Sequence, residues 1–140
     1  MFNKVVNMCV VLFLLLSINC FAESYVCIAE ISSGIKFDTT FNKWSQSGFM
    51  ADEKYIVTKN QEKYMTNNYV VVQPGDTYPS YRCTEDFNEY GWLFCESGLG
   101  SFKFSRKALR FLSTYEAGYV DGKDAPGNTP SITVGKCTAF

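Results

Sequence analysis

The sequence predicts an all-β protein, a small antiparallel barrel or sandwich of six to nine short strands. Three observations lead to this prediction. Short runs rich in β-branched and aromatic residues alternate with turn residues along the chain. Aromatic residues make up 16% of the 140 residues, enough to fill the core of a small domain. Four cysteines lie outside the N-terminal segment, an even number that two disulfides would use.

The predicted strands follow one another at short intervals. Ser32-Ser33-Gly34 is expected to end the first strand. Pro74-Gly75-Asp76 is a predicted turn, because proline fixes φ and glycine permits a positive φ. A loop is expected over residues 121–130, which contain two glycines and two prolines. In chain order the predicted strands cover residues 25–31, 35–38, 54–59, 69–72, 80–86, 92–96, 101–105 and 131–137.

Residues 105–119 fit two kinds of secondary structure. Ala108, Leu109, Leu112 and Tyr115 lie near helical spacing, with Ser105 as a possible N-cap. Alternate residues from 109 to 119 would instead share one face of a strand, and the aromatic residues among them suit a sheet. The strand is the prediction here, with the helix as the alternative.

An internal similarity suggests two duplicated halves. Residues 35–38 with 43–44 match residues 102–105 with 110–111 at one constant offset. Each copy has an apolar-Lys-Phe-polar strand, a four-residue connection and a basic-aromatic pair. Such a match is typical of duplication. The alternative is chance, since hairpins of this composition recur in aromatic β proteins.

The cysteine positions favour one disulfide connectivity. Residues 80–86 and 92–96 flank a turn that has glycine at its far end, which predicts a hairpin centred on Glu89. In that register Cys83 faces Cys95, at a separation a disulfide can close. Cys27 and Cys137 would then join the first strand to the last. Zinc is a poor alternative, because the four cysteines form no closely spaced pair and the chain has no histidine.

The N-terminal segment has the pattern of a secretory signal peptide over residues 1–22. Lys4 precedes an apolar run of about 14 residues. Cys20 and Ala22 then place small residues three and one positions before a cleavage site that follows Ala22. A membrane anchor would need about 20 apolar residues. Lipid attachment at Cys20 is a further alternative, although Asn19 is a poor residue before a lipidated cysteine. Residues 23–140 would form one secreted or periplasmic β domain, with no membrane span after cleavage.

Composition excludes several function classes. A formal net charge of −1 gives no electrostatic reason to expect a nucleic-acid partner. The chain has no histidine, the commonest general base and metal ligand. It also lacks a nucleophile-elbow motif and a phosphate-binding glycine loop. We therefore expect no enzyme activity, no cofactor and no metal.

Carboxylates near the predicted hairpin keep one enzymatic alternative open. Glycoside hydrolysis needs two placed carboxyl groups, and Glu85, Asp86, Glu89 and Glu96 cluster there. A solvated, charge-balanced turn explains the same residues. A small carboxylate-dependent hydrolase is thus an alternative function.

Tyr90 and Trp92 are the candidate binding residues. They flank Gly91 at the predicted turn, where the demand for core residues is weakest. Aromatic side chains at a turn can form a contact surface for a protein or a carbohydrate. The more conservative interpretation is that Trp92 points inward over the disulfide.

A series of short motifs resembles an uncharacterised family of small secreted or periplasmic proteins of Gram-negative bacteria. It includes Val26-Cys27-Ile28-Ala29-Glu30 and Val134-Gly135-Lys136-Cys137, together with residues 34–37, 44, 52–57, 110–112, 118–119 and 128–130. The resemblance implies export and assigns no activity. Ser97-Gly98, followed by Phe102, is loosely similar to a motif of periplasmic lysozyme inhibitors, with the aromatic residue one position late.

The sequence therefore favours an exported, non-catalytic binding module for an envelope or extracellular protein or glycan. Inhibition of a hydrolase such as lysozyme is the alternative within the binding class. Neither the partner nor the oligomeric state follows from the residues.

Export predicts a processed N-terminus. The protein recovered from the periplasm or the medium should begin at Glu23, because cleavage is expected after Ala22. Mass spectrometry of the intact protein measures this directly. An intact Met1, or an N-terminal Cys20 carrying lipid, would contradict the prediction.

Overall fold

A computed structural model describes residues 24–61 and 68–140, and this part of the chain contains nine β-strands and no α-helix. The predicted signal peptide, residues 1–22, lies outside the described residues. The strands are β1 (Ser24–Asp38), β2 (Lys43–Phe49), β3 (Lys54–Lys59), β4 (Tyr69–Val72), β5 (Tyr81–Cys83), β6 (Trp92–Ser97), β7 (Gly100–Ser105), β8 (Arg110–Tyr115) and β9 (Ser131–Ala139).

Eight of these strands form a closed antiparallel barrel, which confirms the all-β prediction. The strands from β3 to β9 pair in chain order, and β1 closes the sheet by pairing with both β3 and β9. β2 is the additional strand. It pairs with the second half of β1, beyond the part that pairs with β3.

The prediction that β1 ends at Ser32-Ser33-Gly34 is wrong. β1 continues to Asp38 because its second half pairs with β2 on one side and, as far as Gly34, with β9 on the other. A β-bulge between Ala29 and Ile31 shifts its register against β9. The bulge reverses the alternation, so that Ala29 and then Ser32 are buried while Ile31 is 64% exposed.

Closure brings two backbones close together at Gly135. A Cβ atom at this position would lie 2.8 Å from the Cα of Ala29 and 2.6 Å from Cε1 of the Phe111 ring. Any larger residue would therefore separate β9 from β1 beside the bulge.

Both predicted disulfides are present. Cys27–Cys137 joins directly opposed residues of β1 and β9, and Cys83–Cys95 joins directly opposed residues of β5 and β6. Arg82 faces Glu96 as the predicted hairpin register requires. All four cysteines are buried inside the barrel. Two disulfides fit an oxidising environment such as the periplasm or the extracellular medium.

Aromatic side chains pack in the interior together with Val57, Val71 and Leu93. The rings of Phe102 and Phe111 stack, with centroids 5.2 Å apart, and Tyr55 contacts both edge-on. Tyr25 contacts Phe104 at 4.7 Å. Edge-to-face contacts add stabilisation beyond the burial of apolar area.

The segment 105–119 contains a strand, β8, and no helix, as predicted. β8 and β7 form a hairpin whose register matches that of β1 and β2: Phe104 faces Phe111, and Phe37 faces Trp44. Both connections end on a non-glycine residue with positive φ, Leu109 and Asn42.

The two matching hairpins have different surroundings in the fold. Ser97 ends β6 and Gly98 begins the turn to β7, whereas Ser33-Gly34 lies inside the continuous strand β1. β8 also belongs to the barrel wall, whereas β2 lies outside it. The hairpins therefore share a register but not their connections, and the duplication of two halves stays a prediction.

In residues 24–61 and 68–140, no helix is long and apolar enough to cross a bilayer.

The two disulfides should differ in their contribution to stability. Urea unfolding of the oxidised chain 23–140 should show a loss of about 5 kcal/mol for Cys27→Ala with Cys137→Ala, against about 3 kcal/mol for Cys83→Ala with Cys95→Ala. The reason is loop length, since the bridges span 110 and 12 positions. All four sulfurs are buried, so lost packing is comparable in the two variants. An equal loss, or a larger loss from the hairpin bridge, would contradict the prediction.

Candidate functional site

The outer face of β6 carries the largest exposed aromatic side chains of the barrel wall. Residues alternate between the two faces of a strand, and Leu93 and Cys95 are buried inside. Trp92 and Phe94 therefore point outward, with exposed fractions of 43% and 50%. The interpretation that Trp92 points inward over the disulfide is wrong, because Trp92 and Cys95 lie on opposite faces.

The Trp92 and Phe94 rings lie nearly parallel on this face. Their planes differ by 15° and their centroids are 6.2 Å apart. Tyr90, which is 65% exposed, precedes them in the turn that leads into β6. The three rings form an aromatic surface directed at solvent.

Asn88 fixes the turn that carries these rings. Its side-chain oxygen accepts hydrogen bonds from the backbone N–H of Tyr90 at 3.0 Å and of Trp92 at 2.9 Å. Gly91 has φ of +81°, which favours glycine at this position. The carbonyl of Gly91 in turn accepts a hydrogen bond from the N–H of Arg106, so the turn is tied to the β7–β8 connection.

An open groove of about 690 Å³ lies beside the aromatic surface, on the outside of β6, β7 and β8. We call it the Trp92 groove. The strand register determines which residues lie side by side across the groove. Ser105 of β7 faces Trp92 on one side and Arg110 of β8 on the other, and Lys103 likewise lies between Phe94 and Leu112. Its lining residues are Asn88, Tyr90, Trp92, Phe94, Lys103, Ser105, Ala108, Arg110, Phe111 and Leu112.

The charge of the Trp92 groove is positive. Lys103 and Arg110 are exposed, and none of the described residues that line the groove is an aspartate or a glutamate. Within residues 24–61 and 68–140, neither cation forms an ion pair, whereas nearby Lys136 lies 2.9 Å from a carboxylate oxygen of Glu30. The groove thus combines an aromatic wall with two cations that have no counter-charge.

Sequence reasoning identified Tyr90 and Trp92 and missed Phe94, Lys103 and Arg110. The predicted pairing of Cys83 with Cys95 already places Phe94 on the same face as Trp92, because both are an odd number of positions from Cys95. Lys103 and Arg110 join them only through the register of β7 and β8.

The carboxylates considered for hydrolysis are not gathered at the groove. Glu85, Asp86 and Glu89 are exposed in the connection between β5 and β6. Glu96 lies at the other end of β6, in a depression of about 590 Å³ that Glu116 and Asp121 also line.

Ser97-Gly98, the string similar to lysozyme inhibitors, lies at this same end of the barrel, where Ser97 ends β6 and Gly98 begins the turn to β7. The Ser97 hydroxyl donates a hydrogen bond to the Gly100 carbonyl and accepts one from the N–H of Leu99, both at 3.2 Å. Phe102, the aromatic residue of the string, is fully buried in the core.

Interior tyrosines are held neutral. Burial raises the pKa of Tyr81, with the neighbouring Tyr55 as the next cause, and burial also raises the pKa of Tyr55. These phenols remain protonated at neutral pH and face the core rather than the groove. No group of three or more potential metal ligands occurs among the described residues.

No family model matches the chain, and no curated protein or solved structure is significantly similar to it. The Trp92 groove is therefore interpreted from its own chemistry.

Proposed function

We propose that this chain is an exported, non-catalytic binding module, with the Trp92 groove as the site for a protein or glycan partner of the cell envelope or the extracellular medium. The observation that carries the proposal is the exposed, nearly parallel pair of Trp92 and Phe94. Exposure of large aromatic side chains to water is unfavourable, and such side chains are common anchors of binding sites.

The rigidity of the scaffold supports the same function. The rings sit on a strand of a closed barrel, and their turn is fixed by Asn88. A surface that is already ordered loses little conformational entropy on association, so more of the contact energy remains as affinity.

Inhibition of an envelope hydrolase such as lysozyme is one form of this proposal, in which the partner is an enzyme. The resemblance to secreted proteins of Gram-negative bacteria agrees with export and leaves the partner open. A carboxylate-dependent hydrolase is the alternative outside the binding class.

Trp92→Ala should weaken the captured partner. Immobilised chain 23–140 is incubated with envelope extract, and retained proteins and glycans are quantified against Trp92→Ala and Tyr78→Ala. Loss of a central aromatic anchor costs about 2 kcal/mol or more, which is a loss of affinity of about 30-fold. Tyr78 is 80% exposed and does not line the groove, so its variant controls for loss of an exposed ring.

Equal retention by all three proteins, with unchanged circular dichroism, would contradict this choice of site. Turnover of a glycan that disappears in Glu85→Gln, Asp86→Asn or Glu96→Gln would contradict the non-catalytic function. Lysozyme activity measured with and without the protein tests the inhibitor form.

A further inference from the structure

We infer that the ligand of the Trp92 groove is an anionic glycan, a saccharide chain that bears carboxylate or sulfate groups. This inference rests on the proposed binding function and specifies the ligand class. It follows from four properties of the groove: an uncompensated positive charge, the position of Arg110 across β7 from the indole ring, polar donors near the rings, and the absence of an unpaired strand edge on β6, β7 and β8.

The positive charge of the groove is electrostatically unfavourable in the unliganded protein. Arg110 directly faces Lys136 across β8 and β9, and like charges in opposed positions destabilise a sheet. Glu30 compensates Lys136, but Lys103 and Arg110 have no carboxylate partner in the described part of the chain. The chain as a whole is slightly acidic, with a net charge of −1. An anion in the groove would relieve the repulsion and supply the counter-charge.

The geometry places that anion next to a sugar-sized space. Trp92 and Arg110 are two strands apart, about 10 Å between backbones, and only the small side chain of Ser105 lies between them. A pyranose ring can pack its C–H face on the indole while its acidic substituent reaches Arg110. The planar guanidinium binds carboxylate and sulfate oxygens in pairs.

Polar donors near the rings suit the hydroxyl groups of a sugar. The Asn88 oxygen is used by the turn, which directs the amide NH₂ group away from those backbone contacts. In the described ranges, neither this NH₂ group nor the indole N–H of Trp92 has an acceptor. Both groups belong to residues that line the groove.

An acidic peptide fits the groove less well. β6, β7 and β8 are each paired on both sides, so an extended peptide finds no free backbone edge to extend the sheet. The groove is open on the outside of the barrel, and Trp92 and Phe94 form a stacked pair of rings in its lining. Aromatic rings can pack against the C–H face of a sugar without any backbone contact.

The test measures binding of the oxidised chain 23–140 to three soluble probes of equal length by isothermal titration calorimetry at low salt. The probes are hexagalacturonate, the neutral hexamer of N-acetylglucosamine, and hexaglutamate. A heparin hexasaccharide serves as a second acidic saccharide, which carries sulfate groups. We expect the acidic saccharides to bind at least about tenfold more tightly than the neutral hexamer or the peptide. The affinity should fall as salt is raised, because the contact is partly ionic and exposed.

Variants locate the contact. Arg110→Ala and Lys103→Ala should each weaken the acidic saccharides by about tenfold, and Arg110→Lys should weaken them less than Arg110→Ala. Lys123→Ala removes an exposed cation outside the groove and should change nothing. All three positions are exposed, so folding of the four variants is expected to be unaffected, and circular dichroism verifies it.

The failures of the two proposals are distinguishable. Binding of the neutral hexamer as tight as that of the acidic ones, tighter binding of hexaglutamate, or no binding of either acidic saccharide would overturn the anionic-glycan assignment. Each of these results leaves the proposed binding module intact if Trp92→Ala still weakens capture from envelope extract. Loss of that dependence on Trp92 would overturn both.

Discussion

Closure of the sheet between β1 and β9 is the constraint on which the rest of the structure depends. The two strands pair from Tyr25 opposite Ala139 to Gly34 opposite Ser131, and Cys27–Cys137 joins them inside the barrel. Closure removes the two free edges that an open sheet would expose. It also defines a single interior, into which alternate residues of the wall strands point.

The Trp92 groove is a consequence of that division. The disulfide requires Cys95 to face inward, so Trp92 and Phe94 must face outward on β6. Phe102, Phe104 and Phe111 fill the interior from β7 and β8, which sends Lys103 and Arg110 to the same outer face. The inward-facing residues that stabilise the fold thus determine which side chains face outward at the groove, and Phe111 belongs to both the core and the groove lining. Substitution of the outward-facing Trp92, Phe94, Lys103 or Arg110 should accordingly have little effect on folding.

Local patterns were sufficient to predict much of the fold. β3 and β4 have their predicted bounds, because each is a short apolar run closed by polar or turn residues. The disulfides follow from the symmetry of one hairpin and from pairing the cysteines that remain. The continuation of β1 through Ser32-Ser33-Gly34 could not be predicted in this way. Those residues form a strand because β2 and β9 pair with them, and that pairing depends on partners distant in the chain.

Only part of the proposed site could be predicted from the sequence, because the rest depends on pairing between distant strands. Trp92 and Tyr90 are notable in the sequence as aromatic residues at a turn, and strict alternation from Cys95 is enough to place Trp92 outside. In the sequence, nothing distinguishes Lys103 and Arg110 from the other basic residues. They join the proposed site because the registers of β6 with β7 and of β7 with β8 bring them beside the rings.

Native-state hydrogen exchange of the oxidised chain 23–140 tests the central role of closure most directly. The paired amides of β1 and β9 near Cys27 and Cys137 should exchange only by global unfolding, with the same opening free energy as the buried positions of β6 and β7. The paired amides of β2, which lies outside the barrel, should open at a lower free energy. Opening of β9 at a lower free energy than β6 and β7, or protection of β2 equal to that of the barrel strands, would contradict this account.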